Sequence, residues 1–166
     1  MVKIDNLEKE GKVSRIIETE LERYVQFFTE SYKDNFHHAE SNIEKYPRWS
    51  IISGYYAMHD ISKLFIAKIY RLKIEKEVHA TTIKVLREVI KAKETLKLIE
   101  DGYEEFRNLA DELNDAKKER VKAQYYTGTA FMKEKYAGIS KDFIENTVKP
   151  YLAKISILLD EGKNDN

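Results

Sequence analysis

The sequence predicts an all-α protein, folded as an up-and-down bundle of four to five helices. Apolar residues recur at every third or fourth position through most of the chain, which is the period of one helix face. Only two prolines and six glycines occur among 166 residues, too few for a turn-rich β-sandwich. Because this length suits one hydrophobic core, we expect a single helical domain over residues 1–166, with frayed ends near 1–5 and 160–166.

The first predicted helix is long and ends before Pro47. Asp5 and Glu8 have the spacing of a capping box at its start, and we allow a bend near Asn35. Its apolar stripe consists of Val13, Ile17, Leu21, Val25, Phe28 and Tyr32. Pro47 suits the first position of the next helix, because the N–H that proline lacks would have no partner inside the helix.

The second predicted helix is apolar on two faces, which is typical of a helix in the middle of a bundle. Its first stripe is Ile51, Tyr55, Met58, Ser62, Phe65, Ile69 and Leu72, and its second is Ile52, Tyr56, His59, Ile66 and Tyr70. Small residues cluster near its start, at Ser50, Ser53, Gly54 and Ala57. They allow the backbone of a neighbouring helix to approach closely.

Three shorter stretches complete the predicted order of elements. Residues 73–80 form a connector to a short third helix, which begins after Thr81 or Thr82. A hinge around residues 101–102 precedes the fourth helix. We expect the last helix to kink at Pro150, since proline removes one backbone hydrogen bond.

Charge and composition exclude several classes of function. The 29 basic and 29 acidic residues give a net charge of zero, so no global basic field indicates a nucleic-acid or membrane binder. The chain has no cysteine, which excludes disulfides, iron–sulfur clusters and thiol catalysis. No stretch approaches the ~20 apolar residues of a membrane span, so we expect a cytoplasmic protein. Its balance of Lys and Glu recurs in proteins from hot environments.

The histidines are the candidate metal ligands, and they fit that role poorly. The chain has four of them, at His37, His38, His59 and His79, and Asp34 near the first two makes the closest approach to a cluster. A di-iron bundle requires Glu-x-x-His pairs, which the sequence lacks. It also lacks a Gly-rich phosphate loop and a nucleophile elbow. We therefore predict a surface histidine pair, with no metal, cofactor or catalytic residue.

The fourth helix carries polar residues where its inner stripe should continue. Beyond Phe106 the same spacing leads to Lys117, Arg120 and Gln124. Arg120 is therefore expected to be half sheltered, and Tyr125 and Tyr126 follow it directly. Two interpretations stay open: these cations complement the helix dipole, or basic and aromatic side chains together bind single-stranded RNA.

Four segments match a known family in order and spacing. Residues 49–60 read WSIISGYYAMHD, residues 79–82 read HATT, residues 119–126 read ERVKAQYY, and a closing helix follows from Phe143. Together they resemble the HEPN domain proteins of prokaryotes over roughly residues 10–160. The residues that carry the family's packing pattern are Ser53, Tyr55, Tyr56, Ala57 and His79.

The resemblance implies a helical bundle, often homodimeric, with a role around RNA. Many HEPN relatives are metal-independent RNases of toxin–antitoxin or defence systems, frequently paired with a small nucleotidyltransferase, and others are non-catalytic. The nuclease motif is an Arg and a His with about four to six residues between them, which combines charge stabilisation with proton transfer. In this chain His79 is the last histidine, so no histidine follows Arg120.

We therefore expect a HEPN-like, homodimeric and non-catalytic protein that binds RNA, a nucleotide or a nucleotidyltransferase partner in a toxin–antitoxin-like or defence-related system. The candidate binding residues are Lys117, Arg120, Gln124, Tyr125 and Tyr126. One alternative is a divergent metal-independent RNase that uses Arg120 with Tyr125 or Tyr126. The other is a purely structural interaction module.

Overall fold

The computed structural model describes residues 4–120 and 130–162, and at 110, 112–120, 130–133 and 135 it describes the backbone only. These residues are mostly helical, which confirms the all-α class at the coarse level. The elements in order are α1 (Ile4–Lys9), β1 (Val13–Arg15), α2 (Glu18–Ser41), α3 (Pro47–Tyr70), β2 (Leu72–Ile74), α4 (Val78–Val89), α5 (Lys93–Arg120), α6 (Ala130–Phe143), a π-helix (Ile144–Val148) and α7 (Lys149–Glu161). In the described part of the chain, no helix is both long and apolar enough to cross a membrane.

Helix α3 lies in the middle of the fold, as its two apolar stripes predict. It packs against α2, α4, α5, α6 and α7, and most of its residues from Ser50 to Ala67 are buried. Pro47 occupies its first turn, which confirms the predicted start. The helix ends at Tyr70, and Arg71 then adopts a left-handed conformation with φ of 56°.

The N-terminal region differs from the long first helix that the periodicity predicts. Helix α1 ends at Lys9, and Gly11 follows in the left-handed conformation with φ of 63°, which glycine adopts at little cost. Val13 then enters β1 and pairs with Ile74 of β2 in an antiparallel ribbon. Both side chains are buried. Tertiary pairing of a β-branched residue therefore overrides the helical spacing here.

The predicted connector at residues 73–80 is also corrected. Residues Leu72–Ile74 form β2, and α4 begins at Val78, before Thr81. Glu77 precedes this helix with φ of 48°, in the left-handed region. The sharp turn joins a strand to a helix within a few residues, which leaves no long loop.

Two predicted interruptions are absent from the helices that the structure describes. Helix α2 continues through Asn35 without a break, and α5 continues through residues 101–102. Gly102 serves close packing instead, because a Cβ there would lie 2.9 Å from the side chain of Met58. The irregularity expected at Pro150 takes the form of the π-helix directly before it, where the wider turn gives the proline ring room.

Candidate functional site

Tyr55 lies at the centre of a group of aromatic side chains, which we call the aromatic cluster. Its ring stacks on Phe106 with 4.6 Å between ring centroids and an interplanar angle of 18°. The His79 ring is 5.5 Å away. The other members have centroids 5.9–6.0 Å from that of Tyr55. The cluster consists of Tyr55, Tyr56, His59, His79, Tyr103 and Phe106.

Three helices supply these rings. Helix α3 contributes Tyr55, Tyr56 and His59, the first turn of α4 contributes His79, and α5 contributes Tyr103 and Phe106. The turn at Glu77 directs the start of α4 toward α3, and Thr81 Oγ1 donates a hydrogen bond of 2.7 Å to the Lys76 carbonyl. On α5, a spacing of three residues places both rings on one helix face.

A hydrogen bond fixes the His79 ring. Tyr55 Oη and His79 Nδ1 are 2.8 Å apart, and Tyr55 is only 1% exposed. Burial raises the pKa of the Tyr55 hydroxyl, so the phenol keeps its proton. Burial, with a smaller effect of His59 and Lys63, lowers the pKa of His79, so the ring is neutral at pH 7. The tautomer of the neutral ring sets which of the two atoms, Tyr55 Oη or His79 Nδ1, donates this hydrogen bond.

The Nε2 atom of His79 has no hydrogen-bond partner among the described residues. It lies across the ring from Nδ1, which is turned to Tyr55. The cluster therefore presents a partly buried histidine ring whose orientation a buried tyrosine holds.

A buried polar network supports the cluster from the side of α2. Asp60, which is 7% exposed, accepts hydrogen bonds from Ser31 at 2.6 Å and Asn35 at 3.0 Å. Its other oxygen is 3.8 Å from Nδ1 of His59. Nε2 of His59 lies 3.3 Å from Thr82 Oγ1. These contacts connect α2, α3 and α4, and they orient the His59 ring beneath His79.

Lys63 lies close to this network and is partly buried. Its ammonium nitrogen is 4.3 Å from the ring centroid of Phe28, a cation–π contact. Burial lowers the pKa of Lys63, and the Asp60 carboxylate opposes that effect. Lys63 thus contacts the Phe28 ring and is influenced by the nearby Asp60 carboxyl group within a partly buried region.

The outer face of the cluster is partly open. Tyr56 is 37% exposed, and its ring stands nearly perpendicular to Phe106 at 5.8 Å and steeply to His79 at 6.1 Å. The centroids of His79 and Phe106 are 5.8 Å apart. Next to them, the Arg107 guanidinium lies 6.0 Å from the ring centroid of Tyr103. An aromatic face, a histidine ring and a cation thus occur together.

The structure brings together three of the residues that the family resemblance singles out, namely Tyr55, Tyr56 and His79. Ser53 instead bonds to His38 Nδ1 at 2.7 Å, and Ala57 is fully buried.

The structure does not test the predicted binding residues of the fourth helix. The side chains of Lys117 and Arg120, and the residues Gln124, Tyr125 and Tyr126, lie outside the part that the structure describes. Sequence reasoning missed Tyr103 and Arg107 as site residues. The spacing of Tyr103, Phe106 and Arg107 on one helix face is the signal that could have indicated them.

The histidines form no metal site in the described residues, where no group of three metal-ligating side chains occurs. His37 and His38 are exposed on α2, in agreement with the predicted surface pair. His59 and His79 are neighbours, with ring centroids 4.7 Å apart. The nitrogens of His59 lie next to Asp60 and Thr82, and Nδ1 of His79 is engaged with Tyr55.

A separate cavity of about 400 Å³ lies between α5 and the region of the π-helix. Its lining residues are Asp101, Glu105, Gly138, Ile139, Asp142, Phe143 and Thr147. Asp142 accepts a hydrogen bond of 2.6 Å from Asn146. The three carboxylates disfavour a phosphate, so this cavity does not suit an anionic ligand.

Comparison with known proteins finds no matching family model, no matching curated protein and no matching solved structure.

The lowered pKa of His79 predicts that the folded state loses stability in mild acid. Below its ordinary pKa of 6.5 the unfolded chain takes up a proton that the folded ring resists, so the free energy of unfolding falls as pH falls. The slope for one proton is at most about 1.4 kcal/mol per pH unit, and solvent at the half-exposed ring reduces it. Urea unfolding at about pH 7 and about pH 5.5 measures the loss.

Two variants serve as controls for this pH effect. His79→Phe keeps a ring and removes the titrating group, so its free energy of unfolding should change less between the two pH values. His37→Phe alters an exposed histidine and should keep the wild-type pH dependence. If the free energy of unfolding falls equally between the two pH values in His79→Phe and in wild type, the pH effect does not come from His79.

Proposed function

We propose that this chain is a HEPN-like, non-catalytic and homodimeric protein that binds RNA, a nucleotide or a small nucleotidyltransferase partner in a toxin–antitoxin-like or defence-related system. The observation that carries the proposal is the contact between two separate segments of the family pattern. Tyr55 belongs to the first and His79 to the second, and their side chains share a hydrogen bond of 2.8 Å.

The chemistry of the aromatic cluster supports a nucleic-acid ligand. Single-stranded RNA is recognised by stacking of its bases on aromatic rings and by cations at its phosphates. Tyr56 and His79 offer partly open rings, and Arg107 is exposed beside them. Because the chain has no net charge, binding depends on such local groups rather than on a global field.

The positions of the histidines support binding rather than cleavage. The family's nuclease motif pairs an arginine with a histidine that moves protons as a general acid or base. His79 is the last histidine of the chain, so no histidine follows Arg120. Nδ1 of His79 is engaged with the Tyr55 hydroxyl at 2.8 Å.

Exposed aromatic side chains at the start of α3 support the homodimer. Trp49 is 60% exposed and Tyr46 is 50% exposed, and only three positions separate them. A monomer seldom leaves large apolar side chains grouped on its surface. A second copy related by a two-fold axis would cover them.

RNA binding through Arg120 is the test of this proposal. Wild-type protein should bind a short single-stranded RNA at low salt, and its affinity should fall steeply as salt rises, because phosphate contacts release counterions. Arg120→Ala should lose at least several-fold in affinity, since a guanidinium can donate two hydrogen bonds to one phosphate. Fluorescence anisotropy of a labelled oligonucleotide measures both effects.

The control for this test is Arg23→Ala, which removes an exposed arginine of α2 and should change the affinity little. Intact RNA after hours of incubation supports the non-catalytic assignment. Metal-independent cleavage that Arg120→Ala abolishes would instead establish a divergent RNase. If Arg120→Ala and wild type bind RNA with the same affinity, Arg120 serves only to complement the helix dipole.

A further inference from the structure

We infer that the outer face of the aromatic cluster is a stacking site for a purine base of single-stranded RNA, with Tyr56 and His79 as its principal binding residues. The inference rests on the proposed RNA-binding function and assigns the base contact to α3 and α4. This assignment is independent of Arg120, whose side chain lies outside the described part of the chain.

The ring geometry provides a rigid platform. The centroids of Tyr56, His79 and Phe106 form a nearly equilateral triangle, with sides of 5.8–6.1 Å. Tyr55 closes the inner side of this triangle at 4.6–5.9 Å from each ring. Since the Tyr55 ring is fully packed, the outer rings have little freedom to move. Little conformational entropy is therefore lost when a base stacks on them.

The size of the platform favours a purine. His79 and Phe106 are tilted by only 33° relative to each other, so a flat ligand can cover parts of both rings at once. Two fused rings bridge their 5.8 Å separation better than one ring does. The edge of a purine also offers hydrogen-bonding groups, which can pair with the Nε2 atom of His79.

The charges around the platform favour a nucleotide over an aromatic side chain of another protein. Arg107 is exposed on the same helix as Phe106 and already contacts the Tyr103 ring. A cation beside a stacked base is positioned for the backbone phosphate. A phenylalanine from a partner protein would use the rings but neither the Arg107 charge nor the ring nitrogen of His79.

The experiment compares Tyr56→Leu with wild type for binding of an adenine-rich RNA that contains one 2-aminopurine. Stacking quenches the fluorescence of this base analogue, so titration reports base contact as well as affinity. Tyr56→Leu should weaken binding at least about fivefold and reduce the quenching, because the partly exposed Tyr56 ring stands nearly perpendicular to Phe106 and contacts the edge of a base that covers His79 and Phe106. Wild type should also bind adenine-rich RNA more tightly than uracil-rich RNA.

Two further variants serve as controls. Tyr56→Phe keeps the ring and should retain wild-type affinity. Phe27→Leu removes a ring that is 61% exposed on α2, away from the cluster, and should leave binding unchanged. Circular dichroism checks that each variant keeps its helix content.

Three outcomes would overturn the inference. If Tyr56→Leu binds RNA as tightly as wild type while Arg120→Ala binds it more weakly, the stacking site is wrong but the proposed RNA-binding function is supported. If wild type binds adenine-rich and uracil-rich RNA with equal affinity and does not quench 2-aminopurine, the purine site is contradicted, even if Tyr56→Leu fails to fold. Absence of RNA binding by wild type at low salt overturns the proposed function as well.

Discussion

Tyr55→Ala is expected to lose about 3–5 kcal/mol of unfolding free energy, the range that holds for a large aromatic side chain removed from a core. Tyr55 is 1% exposed and touches every other ring of the aromatic cluster. Its removal leaves a cavity between α3, α4 and α5, and it also removes the hydroxyl that hydrogen-bonds with Nδ1 of His79. Urea unfolding followed by circular dichroism measures the loss.

The neighbouring residue supplies the matched control. Tyr56→Ala makes the same substitution one position along α3, where the side chain is 37% exposed, and should cost no more than about 1 kcal/mol of unfolding free energy. Tyr55→Phe keeps the ring and removes only the hydroxyl, so we expect a loss of about 1 kcal/mol. Equal losses for Tyr55→Ala and Tyr56→Ala would contradict the central position of Tyr55.

Helices with a clear apolar periodicity or a well-placed proline could be predicted from the sequence. Elements that depend on residues distant in the chain could not. The double stripe and Pro47 are local features, and they correctly place α3 in the middle of the fold. Strand β1 has three residues, too few for an alternating pattern, and Val13 belongs to it only because Ile74 of β2 lies beside it. The register of this ribbon is a tertiary property.

The candidate site was predictable to a similar degree. The family resemblance selects Tyr55, Tyr56 and His79, and these side chains meet. Tyr103 and Arg107 join them from α5, whose orientation around its own axis follows from packing on α3. The sequence stripe on this helix pointed instead toward Arg120, at the far end of α5.

The small residues near the start of α3 illustrate a local pattern with a tertiary meaning. Their predicted role is close helix approach, and Gly54 confirms it. A Cβ on Gly54 would lie 2.8 Å from Ile144 and 3.1 Å from Val148, both in the π-helix. Ser50 allows close contact between α3 and α2. Its hydroxyl donates a hydrogen bond of 2.6 Å to the Ala39 carbonyl of α2.

Gly54→Leu is expected to lower the free energy of unfolding by about 1–3 kcal/mol or more, because four added carbons must displace the π-helix side chains from a packed interface. Leucine favours a helix by nearly 1 kcal/mol relative to glycine, so any net loss reports the steric conflict. Gly138→Leu is the control: a Cβ there meets nothing within 4 Å, and the variant should be as stable as wild type or more so. Urea unfolding of the three proteins should give the order Gly138→Leu at or above wild type and Gly54→Leu well below it. A Gly54→Leu protein as stable as Gly138→Leu would contradict the close approach of α3 to the π-helix.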